Sequence, residues 1–164
     1  MDNDYGILSI YVVFGILIIV GYIKLVIKYK KDNSKLWSND GKNKILRYKW
    51  LKYLYMVMIF ISFVATIYLI YYLTSKRLNQ IDKILIYLGS VIFLSCSLIW
   101  AFRPFMYSKI VLGFASIGTL IILAGISDNI SKNYLGTEDS LALISILIVI
   151  IQTGIFDFII WNGF

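Results

Sequence analysis

In the stretch QTGIFDFIIWNGF, near the end of the chain, one carboxylate, Asp157, stands among residues that are almost all apolar. An acid in such a setting has three uses: it pairs with a cation, it couples to a proton or ion, or it marks the place where a helix reaches water. Gln152, five residues earlier, adds an amide to the same stretch. Successive residues of an α-helix are turned by about 100°, so Gln152 and Asp157 fall about 140° apart. The expectation is therefore that they do not form one site: if Gln152 faces the bundle alongside Ser145, seven residues before it, Asp157 faces a different neighbour or the lipid boundary.

The natural partner for Asp157 is Lys24. At 1.5 Å per residue, Asp157 lies about 24 Å beyond Leu141 and Lys24 about 28 Å beyond Tyr5, a similar depth in a hydrocarbon core about 30 Å thick. Lys52 and Arg103 are the alternative cations at that level. Asp157, Lys24 and Gln152 are thus the candidate polar or coupling residues.

Other chemistry is poorly supplied. The chain has no His and one Cys, Cys96, so a Ser–His dyad, a His-based zinc site and a haem axial pair cannot be assembled. Only one carboxylate lies within an apolar span, which excludes a facing-aspartate pair. Cys96 lacks a His to generate its thiolate. Phosphate-binding and dinucleotide-binding glycine motifs are missing. These readings predict a protein that is not an enzyme and holds no cofactor or metal.

The elements that carry these residues are read from hydropathy. The 164 residues are 60% hydrophobic and only 15% charged, against about a quarter charged in a soluble domain, and the charge is clustered. Apolar runs at about 5–27, 50–73, 84–102, 110–126 and 141–160 approach or exceed the length of about 20 residues that a membrane-crossing helix needs. The first follows an acidic MDND with no cleavage site, and is read as an anchor and not a cleaved leader. The fold class expected is all-α: a polytopic membrane helical bundle of five transmembrane helices forming a single domain over 1–164.

Twelve of the sixteen Lys and Arg, including Lys24, Lys52, Arg103 and Lys109, fall on one side of this arrangement, and Lys76, Arg77, Lys83 and Lys132 fall on the other. The positive-inside rule then predicts an outside N-terminus and a cytoplasmic C-terminus, in a cell membrane of bacterial cytoplasmic type. The basic loop 28–49 and the start of the second span, with Lys44, Arg47, Lys49, Trp50 and Lys52, read as a surface for anionic lipid head groups or for a docking partner, Trp37 and Trp50 being its apolar anchors. No nucleic-acid-binding motif accompanies the net charge of +7, and a nucleic-acid partner is not expected.

Inside the spans, small residues mark helix-packing faces. Ala115, Gly118 and Gly125 lie on one face of the fourth span, and Ser97 lies in line with Ser90 and Ala101 in the third. With no catalytic constellation, the function expected is contact: an accessory or regulatory subunit, or an immunity-type protein, with a membrane-protein partner or a second copy. The alternative is a small transport component or oligomeric channel with Asp157 as its coupling residue.

Overall fold

The structure, a computed structural model, describes residues 5–28, 49–76, 78–102, 108–132 and 136–157. Among the described residues, five helices are long and apolar enough to cross a membrane. They are α1 (Tyr5–Lys28), α2 (Lys49–Ser75), α3 (Gln80–Phe102), α4 (Ser108–Ser131) and α5, which is α-helical over Thr137–Ile150 and continues as a π-helix over Ile151–Asp157. Trp37, Lys44 and Arg47 of the basic loop, Arg103, and the last residues of the expected fifth span, 158–160, lie outside the described residues.

Several helices extend beyond the apolar runs, because polar residues build their end turns. Asn79 caps α3: its side-chain oxygen accepts the Asp82 N–H at 2.9 Å and its carbonyl accepts the Lys83 N–H at 3.0 Å, so the helix begins at Gln80 and not at 84. Such a cap satisfies N–H groups that the first turn would otherwise leave unpaired. At the start of α5, the Gly136 carbonyl accepts the Ser140 N–H at 3.1 Å, while Asp139 reaches back to the Gly136 N–H at 2.9 Å. α4 runs past 126 to Ser131, with the Ser131 hydroxyl bonded to the Asp128 carbonyl and the Lys132 ammonium bonded to the Asp128 carboxylate.

Spatial order differs from chain order. Going round the bundle, the helices follow one another as α1, α3, α4, α5, α2 and back to α1. Ile7, Leu69, Leu73, Ile86, Ile126 and Ile146, drawn from all five, meet in the core. The outward faces are equally apolar: Ile16 and Ile19 on α1, Phe60 and Phe63 on α2, Ile84 on α3, Phe114 on α4 and Ile144 on α5 are all exposed. Helices that are hydrophobic all round suit an apolar solvent.

The closest approach is between α3 and α4, where glycine lets backbone meet backbone. A Cβ added to Gly118 would stand 2.7 Å from the Phe93 backbone nitrogen and 2.8 Å from the Gly89 carbonyl oxygen, and one added to Gly89 would stand 2.6 Å from the Gly118 carbonyl oxygen. At Gly125, one turn pair further on, the neighbours would be Ile86 at 2.9 Å and the Asp82 carbonyl oxygen at 3.2 Å. Ala115 is buried on the same helix. α1 joins this pair through Gly21, which faces Ala101 and the Phe102 ring, and through a 3.0 Å hydrogen bond between the Tyr11 and Ser90 hydroxyls. Ser97 and Ser116 donate to the carbonyls of Phe93 and Leu112 one turn back, at 2.8 Å each.

Gly118→Leu must force α3 and α4 apart, because the added atoms would meet backbone that cannot rotate away. It should cost about 1–3 kcal/mol or more, the range of overpacking in a tight core, and lower the midpoint of thermal unfolding in mild detergent. Gly113→Ala, at a position where a Cβ would meet nothing within 4 Å, should change that midpoint little.

Candidate functional site

The polar cluster of greatest interest sits where α5 changes its winding. Up to Ile150 the helix is α; over Ile151–Asp157 it becomes π, with hydrogen bonds spanning five residues in place of four. Gly154 lies at the middle of this segment, where the lack of a side chain loosens helical geometry. It also lets the segment approach α4: a Cβ there would already stand 3.4 Å from the Ser116 hydroxyl.

The change of winding corrects the expectation about Gln152 and Asp157. On an α-helix they would diverge, but a π turn brings residues five apart onto one face. The Gln152 Nε2 donates to Asp157 Oδ1 at 3.0 Å. The same oxygen accepts a second hydrogen bond, from the Tyr55 hydroxyl of α2 at 2.6 Å. Hydrogen bonds to a charged acceptor are shorter and stronger than neutral ones, and this one ties the end of α5 to the start of α2. Gln152 and Thr153 are buried, whereas Asp157 is partly so. Gln152 Oε1 is fully enclosed and has no hydrogen-bond partner.

The pairing of Asp157 with Lys24 is not formed. Lys24 Nζ instead lies 5.6 Å from the centre of the Phe102 ring, a cation–π distance. The salt bridges of Lys76 and Lys132 lie at the opposite end of the bundle. Lys52, on the first turn of α2, is exposed and already engaged in an interaction of its own. Depth along a helix sets which residues can be level, but the direction of each side chain decides which of them meet.

Tyr55 has no distinguishing mark in the sequence. It is one of 13 tyrosines, and nothing local says that its hydroxyl will find a carboxylate about 100 positions away; only the α2–α5 contact selects it. The opposite end of the bundle holds two further polar groups that reading the links as loops leaves unseen. Tyr72 donates to Asp139 Oδ1 at 2.7 Å, and Lys76 reaches Glu138 at 3.1 Å and Asp139 at 3.5 Å, a second tie between α2 and α5. Asp82, completely buried, has Lys132 at 3.9 Å, and neither of its carboxylate oxygens accepts a hydrogen bond. Both lysines are held above the usual lysine range, Lys76 chiefly by its hydrogen bond to Glu138 and Lys132 chiefly by its bond to Asp128.

Comparison with protein-family models, with curated proteins and with solved structures finds no match for this chain. The site is therefore read from its own geometry. Among the described residues no group of three or more Cys, Asp or Glu side chains converges as a metal-ligand set. What the π turn presents is a carboxylate, an amide whose oxygen accepts no hydrogen bond, and a phenol.

Tyr55→Phe removes one donor from Asp157 while keeping the ring. A lost hydrogen bond to a charged group should cost about 1.5–3 kcal/mol. In a double-mutant cycle with Asp157→Asn, thermal or denaturant unfolding should show a coupling of at least about 0.5 kcal/mol. Additive losses would mean that the hydroxyl and the carboxylate do not act as a pair.

Proposed function

We propose that this chain is a non-catalytic multi-pass membrane protein that acts through protein–protein contacts within the membrane, as an accessory or regulatory subunit or an immunity-type protein. The observation that supports this reading is an unfilled notch on α1. Gly21, Gly89, Gly118 and Gly125 are closely covered by the chain's own atoms, whereas a Cβ at Gly15 would meet nothing within 4 Å. Val12, Ile16 and Ile19 beside it are exposed. Helices in a bilayer associate by close packing of small residues, and a glycine left open on the least covered span suits a helix from another protein or a second copy. Only 17% of the apolar window of α1 is buried, against 39–44% in the spans of α3, α4 and α5.

In this reading the five helices cross a bacterial cytoplasmic membrane with the N-terminus outside, as the distribution of Lys and Arg favours. The basic segment before α2 lies at the cytoplasmic face. There Lys49, Trp50 and Lys52 on the first turn of α2, together with Lys44 and Arg47, engage anionic lipid head groups at about 1 kcal/mol per cation.

A second reading, a small transport component or oligomeric carrier, draws on one observation: the Gln152–Asp157–Tyr55 cluster is built on a π turn. Such turns are rare and frequent at functional sites, and an ionisable residue within a span is a functional candidate by its cost alone.

Gly15→Leu separates contact from structure. Affinity purification in mild detergent should recover a stoichiometric membrane companion, or a homo-oligomer, with the wild-type chain and lose it with Gly15→Leu, at an unchanged unfolding midpoint. If the wild-type chain purifies alone and monomeric, the contact reading fails.

A further inference from the structure

We propose that the π turn of α5 is a binding site for a small alkali cation of the sodium class, held between the carboxylate of Asp157 and the amide oxygen of Gln152. The argument starts from an imbalance. Both hydrogen bonds to Asp157, from Tyr55 and from Gln152 Nε2, fall on a single oxygen, Oδ1. Among the described residues no Lys or Arg is bridged to the carboxylate, whose two donors are Tyr55 and Gln152. One amide group away, Gln152 Oε1 is enclosed and accepts nothing, in a residue only 5% exposed. A buried acceptor without a donor costs about 1–3 kcal/mol and calls for an explanation, of which a bound ion is one.

The orientation of the amide follows from charge. Turned the other way, Gln152 would set its carbonyl oxygen against a carboxylate oxygen, so the NH2 group must face Asp157 while Asp157 is ionised. The free oxygen then belongs to the same amide that meets a carboxylate bridged by no Lys or Arg among the described residues. A proton on Asp157 would cancel the charge but would not cure the amide. If Gln152 turned its oxygen toward the new O–H, its NH2 group would lose its acceptor in turn. A metal cation does both at once, since it neutralises the carboxylate and takes the amide oxygen as a ligand.

The donor set names the class of ion. All ligands are oxygens, one of them charged, with the Thr153 hydroxyl the next polar group along the chain and also buried. Calcium takes six to eight oxygens, with several carboxylates among them, and magnesium demands near-octahedral geometry with several waters. One carboxylate and one amide match a singly charged ion completed by water.

The ion would also hold the winding of the helix. Gln152 and Asp157 share a face only in the π register, so a cation gripped by both favours that register over the α one. The site uses the cluster on which the transport reading draws, but binding requires no transport.

The test is sodium binding by the full chain in detergent, at fixed pH and constant ionic strength with choline as the replacement cation. Saturable binding of radioactive sodium, with a saturable rise in the unfolding midpoint, is the expected result. Lithium should compete and choline should not. Binding should vanish in Asp157→Asn and weaken strongly in Gln152→Leu. Should those variants fail to fold, displacement of sodium from the wild-type chain by lithium, followed by sodium NMR line width, still decides the matter. No saturable binding by the wild-type chain would overturn the proposal. So would a midpoint that follows pH and ignores sodium, which would make this a proton site, or binding retained in full by folded Asp157→Asn. Sodium binding without flux in vesicles would uphold the site and count against transport alone.

Discussion

The contact on which the bundle rests is the glycine-lined approach of α3 to α4. Between helices that are apolar on every side, burial of hydrocarbon would give little preference for one partner over another in a bilayer, whose lipid tails are as apolar as the neighbour. What remains is the density of packing, and dispersion falls away steeply with a gap of even a fraction of an ångström. Gly89, Gly118 and Gly125 remove the side chains that would hold the two axes apart, and backbone atoms of α3 and α4 fill the space. The other helices are arranged about this pair. α1 docks on α3 by a similar device at Gly21, α5 lies against α4, and α2 closes the ring between α5 and α1.

Where glycine does not provide the grip, polar side chains do. α2 and α5 are tied near both ends, by Tyr72 and Lys76 to Asp139 and Glu138 at one and by Tyr55 to Asp157 at the other. Each tie uses a tyrosine hydroxyl on a carboxylate, which lets an aromatic body lie among hydrocarbon while its polar tip meets a charge. The two ends differ in one respect. At the first, two lysines each bridge two acids, the fully buried Asp82 among them; at the second, the donors that reach the carboxylate among the described residues are neutral.

The π turn is the local feature that gathers the polar groups at this end. An additional residue in the turn brings Gln152 beside Asp157, while Gly154 keeps the widened segment close to Ser116 of α4. Winding and hydrogen bond sustain each other: the amide can reach the carboxylate only in this register, and its bond offsets part of the cost of the less favourable helix.

The sequence by itself determined the number of apolar helices and their rough limits, because the length of an apolar run against the thickness of a membrane is a property of local composition. It also marked Gly118 and Gly125 as packing positions and Asp157 as the acid to watch, since small residues and lone charges stand out against hydrocarbon. It could not say which helices would be neighbours, because faces that are all apolar are alike in composition and only shape distinguishes them. For the same reason the depth of Lys24 suggested a partner that its direction then denied, and Tyr55 was one tyrosine among many. The shift from α to π winding lay furthest from view. It moves hydrogen bonds by a single residue without changing the hydropathy of the stretch, and it is held by contacts with α2 and α4 that exist only once the bundle has formed.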